Sequence, residues 1–440
     1  QDTFLGITLV AAGDGEAKNA AIENNELTDN LLGITGIGLL DGDLSELSIS
    51  NNRVDGGGTA VLANVLEGLL GPIPFDVPDF TLGGITLAGI NTDFMNDITI
   101  ENNLVKDHVL GISALGFSDL SMNNLDISRN TLEDNFAGIL VYGNGSDVRI
   151  NNLTISANNL SGAGTTFLGN LLGSPIPVPE WGLAGISVVS VDGSVFNDAI
   201  VTENTVTDHL FAINAIGLDG NIRRMVITSN DLLENFHGVL ILGWDADMRA
   251  PVVSQNRITG VGTGYISSLI GGPSFPDWGL GGVTLVGVDG ANLSSFQVTN
   301  NTISDQLLGV SAVAVGADLR KGIVSGNEIE YGLLGVGAAV FDGGAANKLT
   351  VSGNLLTGTG ANVAGGVPAG FIPLDLFTDK AAVGVGIFSV DGNSRDTTVI
   401  GNTIDNNEVG ILVYEEPAGN TNNLDIDPNI FSNNEDDDIP

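Results

Sequence analysis

The chain reads as an all-β solenoid on three grounds. One short phrase recurs along all 440 residues, the segments between recurrences alternate apolar and polar residues, and 62 glycines accompany no cysteine. Alternation marks a strand with one buried face, and a fixed period of tens of residues marks a stack of like units. The phrase is aliphatic-x-x-Asn-x-aliphatic, with its asparagine at Asn25, Asn52, Asn103, Asn130, Asn158, Asn204, Asn230, Asn256, Asn301, Asn327, Asn354, Asn402 and Asn429. A second phrase, Gly followed by Ile or Val, comes 18 to 20 residues before each asparagine, as at Gly6, Gly33 and Gly84; Ala212 is its one exception. The spacing predicts about thirteen coils in a single domain spanning 1–440, each burying its apolar face only by stacking on its neighbours. Stretches such as Gly185-Ile186-Ser187-Val188-Val189-Ser190-Val191 supply strands, and glycine with Asp or Asn supplies corners.

Repeats such as Ile127-Ser128-Arg129-Asn130-Thr131-Leu132, followed by Asn135 and Gly138-Ile139, resemble the parallel β-helix repeat of the pectate-lyase-like, right-handed β-helix superfamily. The resemblance covers essentially the whole chain. It implies a right-handed parallel β-helix and says little of function, because that fold hosts lyases, hydrolases, adhesins and structural proteins.

The chain carries 14 Lys+Arg against 53 Asp+Glu, a formal net charge of −39, which excludes a nucleic-acid groove. No apolar run reaches the ~18 residues a membrane span needs, and 42% hydrophobic content argues against a disordered acidic tail. The reading is of an exported prokaryotic protein, extracellular or on the cell surface.

A residue present in every coil is architecture, so the asparagines are expected to stack as a ladder, each amide bonding the next. Five positions further on a second polar row is expected, containing Asn30, His108, Asn135, His209, Asn235, Gln306 and Asn407. Seven or eight residues after the glycine phrase an Asp recurs, often as Asp-Gly, a turn signal. Arg149, Arg223, Arg249, Arg320 and Arg395 fall close to these turns and are expected to neutralise them. Calcium is a candidate ligand of the acidic edge at Asp192, Asp219, Asp245 and Asp247, since hard cations take carboxylate oxygens. Trp244-Asp245-Ala246-Asp247 also reads as a possible sugar subsite, against the plainer reading of a solvated turn.

Four apolar inserts interrupt the repeat, one after every third coil, at 56–83, 162–184, 260–281 and 358–383. They hold 8 charged residues among 99, the reverse of an ordinary surface loop. They are expected either to fold back on the solenoid or to form a contact ridge through Phe80, Phe167, Trp181, Tyr265, Phe275, Trp278, Phe371 and Phe377. Phe4 and Leu5 at one edge, and Ile430 and Phe431 before an acidic tail at 432–440, are expected to expose unpaired strands. Repetition without a singular catalytic constellation favours a structural, non-enzymatic subunit that stacks head to tail on copies of itself into a filament. The alternatives are a polysaccharide-binding or polysaccharide-degrading β-helix and a surface adhesin fragment.

Overall fold

A computed structural model describes residues 4–56, 80–163, 181–262, 278–359, 383–416 and 419–439. The described residues are all strand, turn and coil, with no helix. They fall into two compact units, Gln1–Met225 and Val226–Pro440. In each, strands pair in parallel with their counterparts one repeat away, the pairing of a right-handed parallel β-helix. The inserts, with Phe167, Tyr265, Phe275, Phe371 and Phe377, lie largely outside the described residues.

One coil of the first unit shows how the repeat folds. The long strand Leu32–Leu39 carries the glycine phrase, and after the turn come the short strands Ser48–Ser50 and Arg53–Asp55. Left-handed residues set the corners: Asp41 at φ 67°, Glu46 at 56° and Asn51 at 55°. Asp and Asn tolerate this region because their short side chains bond the local backbone. The Asp-Gly turn reading holds in geometry, with Asp119, Asp192, Asp219, Asp245, Asp289, Asp342 and Asp391 also left-handed. At the glycine phrase a side chain has no room. A Cβ on Gly138 would run into the carbonyl oxygen of Gly185 and Leu160.

The core is a set of like-on-like stacks. In the first unit Ile34, Ile85, Ile112, Ile139, Ile186 and Ile213 pair in register and are fully buried. The second unit places valine there: Val239, Val283, Val310, Val336 and Val385. β-branched side chains suit a pleated, buried surface, and each contributes about 1.5–3 kcal/mol by leaving water.

The asparagine ladder runs as expected within each unit. In the first, Asn25, Asn52, Asn103, Asn130, Asn158 and Asn204 bond in sequence, Nδ2 donating to the next Oδ1 at 2.9–3.0 Å. In the second the chain runs Asn230, Asn256, Asn301, Asn327, Asn354, Asn402 and Asn429. Each Oδ1 also accepts the backbone N–H of the preceding asparagine, as from Asn103 to Asn130. The amide therefore closes the corner and joins the coils at once. A further ladder, not foreseen, stands on the outer surface of the first unit: Asn197 donates to Asn151, Asn151 to Asn123 and Asn123 to Asn96.

Candidate acid–base site

Local departures from the repeat are where chemistry can sit, and the first unit has one at a charged corner. The short strands Arg53–Asp55, Leu104–Lys106 and Thr131–Asn135 stack in register, so Asp55, Lys106 and Glu133 share a row. Asp107 and Asp134 follow as left-handed corner residues, φ 59° and 54°. Lys106 Nζ stands 3.3 Å from Asp134 Oδ2 and 3.8 Å from Asp107 Oδ2. The two carboxylate oxygens that face Lys106 are thereby no more than about 7 Å apart, short of the roughly 9.5 Å upper limit for glycoside-cleaving pairs.

Their environments differ. The Asp107 side chain is 22% exposed and that of Asp134 50%. Burial pushes the Asp107 carboxyl up to about 6, with Asp134, Asp55 and Glu133 raising it further against the opposing pull of Lys106. A half-buried acid that holds its proton up to about pH 6, beside a more exposed carboxyl group, is the arrangement that separates a proton donor from a base. Lys106 is raised, first by the Asp107 charge, and stays cationic. Sequence spacing did not single out Asp107, because an acid four residues after the ladder asparagine also occurs at Asp29, Asp208 and Asp305. The discriminating signal was the row beside it, where lysine and glutamate stand together.

Beneath this corner lies the second polar row. His108 is fully buried. Its Nδ1 is 2.5 Å from Thr81 Oγ1, its Nε2 is 3.4 Å from the Val54 carbonyl, and its backbone N–H donates to Asn135 Oδ1 at 3.0 Å. Gly56 sits over it, where a Cβ would strike Thr81, the Asp107 carbonyl and the imidazole. Glycine recurs against the same slot elsewhere: Gly162 and Gly182 against His209, Gly260 and Gly279 against Gln306. The histidines are thus packing and hydrogen-bonding groups at the bases of the inserts.

Burial pushes His108, His209 and His237 down to about 4. The unfolded chain takes up these protons below about pH 6.5, while the folded chain resists until near pH 4. Each histidine therefore removes stability as pH falls between those values, by up to about 3 kcal/mol. Urea midpoints measured from pH 7 to pH 4 are expected to fall steadily. His209→Gln, which copies Gln306, is expected to flatten the slope by its one proton.

The other sequence-selected residues fall differently. Phe80 and Trp181 are buried, each 6% exposed. Trp278 is half-buried with its ring over Gly332. Phe4, Leu5 and Ile430 are exposed, and Phe431 is half-buried, stacked beside Ile404. The proposed neutralisation of the Asp turns is corrected: Arg249 and Arg320 pair with Asp247 and Asp318, acids two residues before them on the same strands. Side chains two apart on a strand share a face, which the turn-based reading overlooked. Asp247 also accepts from Asn292 Nδ2 at 3.2 Å, so it is already engaged. Asp192, Asp219 and Asp245 are exposed turn residues, and no group of three or more metal-ligating side chains forms among the described residues.

These features define a parallel β-helix protein with a charged corner set into an otherwise regular stack. No family model matches the sequence, and no curated protein is similar to it. Among solved structures the chain is similar to the catalytic unit of an α-1,3-glucanase from Streptomyces thermodiastaticus, at 11% identity and a TM-score of 0.38. That match covers 95% of this chain and 63% of the glucanase unit, so the chain spans under two thirds of it. It is also similar to the A-module of a mannuronan C-5 epimerase from Azotobacter vinelandii (13%, TM-score 0.35, 99% of this chain and 89% of that one). A third is a DFA-IIIase from Arthrobacter chlorophenolicus (13%, TM-score 0.30, 97% and 81%). These likenesses speak to fold alone. Each of these proteins is nonetheless an enzyme by name, which overturns the expectation that repetition of this kind marks a non-enzyme. The physical error was to demand a singular motif, when a site can be made by crowding ordinary corner residues of adjacent coils.

Proposed function

We propose that this protein is a polysaccharide-acting enzyme of the extracellular space, with Asp107 as proton donor and Asp134 as the opposing carboxylate. One observation carries the reading: two carboxyl groups of unequal burial flank Lys106 at 3.8 and 3.3 Å on adjacent coils of a β-helix. In the hydrolytic form Asp107 protonates the leaving glycosidic oxygen as its bond to the anomeric carbon breaks. Asp134 takes a proton from the attacking water, whose oxygen bonds to the anomeric carbon, and Lys106 bridges the pair. The test is turnover on a panel of soluble glycans, neutral and uronate, followed by reducing-end release and by absorbance of unsaturated products. Reducing ends without unsaturation support hydrolysis by this pair. Unsaturated products would instead mean elimination, and no turnover on any glycan would remove the proposal.

A further inference from the structure

The second unit holds a pocket of 310 Å³ on the outer side of its long strands that the acid–base chemistry does not use. Two outward rows make it. One runs Thr284, Ser311, Gly337 and Gly386; the other runs Val313, Ala339, Phe388 and Tyr414. The first row loses its side chains midway, at two successive glycines. Over them lie Leu334 and Phe388, whose carbons occupy the space a Cβ on either glycine would need. The lining thus passes from hydroxyls at Thr284 and Ser311 to hydrocarbon and aromatic surface toward Tyr414. It reaches across five successive strands, roughly 19 Å at ~4.8 Å per strand, so the pocket is long and narrow.

The polar end is unfinished. Ser311 is 6% exposed, and its Oγ has no hydrogen-bond partner among the described residues. A buried hydroxyl left without a partner costs about 1–3 kcal/mol. The neighbouring Thr284 Oγ1 is 2.9 Å from His237 Nε2, and burial holds that imidazole neutral. No charged side chain of the described residues lines the pocket.

We propose that this pocket binds a single alkyl chain with an uncharged hydrogen-bonding head, the head meeting Ser311 and the chain lying along Leu334 and Phe388 toward Tyr414. An elongated apolar slot with one or two convergent polar groups is how proteins orient such ligands. A carboxylate head would meet no cation there and would approach a chain of net charge −39.

The test uses the full chain and the neutral dye N-phenyl-1-naphthylamine, displaced by 1-decanol or by decanoate. The expected result is saturable dye fluorescence at one site per chain, displaced by decanol at concentrations at least about tenfold below those for decanoate. Ala339→Trp fills the slot and is expected to abolish dye binding. Ser311→Val replaces the hydroxyl with two methyl groups and leaves the rest of the slot in place, and is expected to retain the dye while weakening decanol about fivefold, the worth of one hydrogen bond. Circular dichroism melts show whether each variant folds, and Ser311→Val decides the matter should Ala339→Trp fail to. Absence of saturable dye binding by the native chain, equal displacement by decanoate, or decanol affinity indifferent to Ser311→Val would each overturn the proposal.

Discussion

Replacing Asp107 with Asn is expected to lower glycan turnover by about 10²–10⁴-fold while leaving the fold intact, the usual contribution of a positioned general acid. The amide is nearly the size of the carboxyl and tolerates the left-handed corner that Asp107 occupies at φ 59°. The Asp107 backbone N–H, which donates to the Glu133 carbonyl at 3.2 Å, is untouched. Removing a half-buried acid from beside Asp55, Glu133 and Asp134 also relieves charge crowding, so stability is expected to hold or to rise. The discriminating readout is a fall in kcat with little change in KM. A residue that only held the corner together would instead change stability or KM, and Asp245→Asn, at an exposed turn in the other unit, is expected to leave turnover unchanged.

Asn130→Ala is expected to cost about 3–5 kcal/mol, read as a lowered urea midpoint. Its side chain donates to the Ile100 carbonyl at 2.9 Å and to Asn158 Oδ1 at 3.0 Å, and accepts from both the backbone and side-chain N–H of Asn103 at 3.0 Å. Truncation leaves several buried donors and acceptors of the stack unsatisfied, each worth about 1–3 kcal/mol, with partial relief from water. Because neighbouring coils share these bonds, the loss is expected to spread. Amide exchange should quicken at Asn103 and Asn158 as well as at the mutated corner. Asn123→Ala, on the outer ladder, removes bonds between half-buried amides that water can replace, and is expected to cost under about 1 kcal/mol.

The contrast between these two ladders explains what the sequence could and could not reveal. Asn130 belongs to a phrase that recurs in every coil and is flanked by aliphatic residues whose alternation places it at a buried corner. Identity and position together determine its bonds. The same logic located Asn135, His108 and His209 in a second buried row. Asn123 has neighbours of its own kind only in three other coils, so periodicity gave it no weight. Asp107 was hidden for the opposite reason: an acid at its position is common along the chain and looked like a turn residue. What distinguishes it is the residue stacked on each side, Asp55 before Lys106 and Glu133 after, which depends on register between strands that are distant in sequence. Trp181 and Phe80 show a third limit. An apolar insert predicts buried surface without saying what it buries against, and both side chains are buried.

The central claim is that Asp107 delivers a proton, and the pH dependence of turnover tests it most directly. With burial holding its carboxyl up to about 6, kcat/KM is expected to fall as pH rises through that value, because the donor loses its proton. The groups facing it, Lys106, Asp55, Glu133 and Asp134, set that position, so Lys106→Met is expected to move the limb to higher pH by removing the one cation that favours the charged form. A descending limb near pH 6 that shifts upward in Lys106→Met and disappears in Asp107→Asn is the predicted result. A limb that stays in place in both variants would contradict the account.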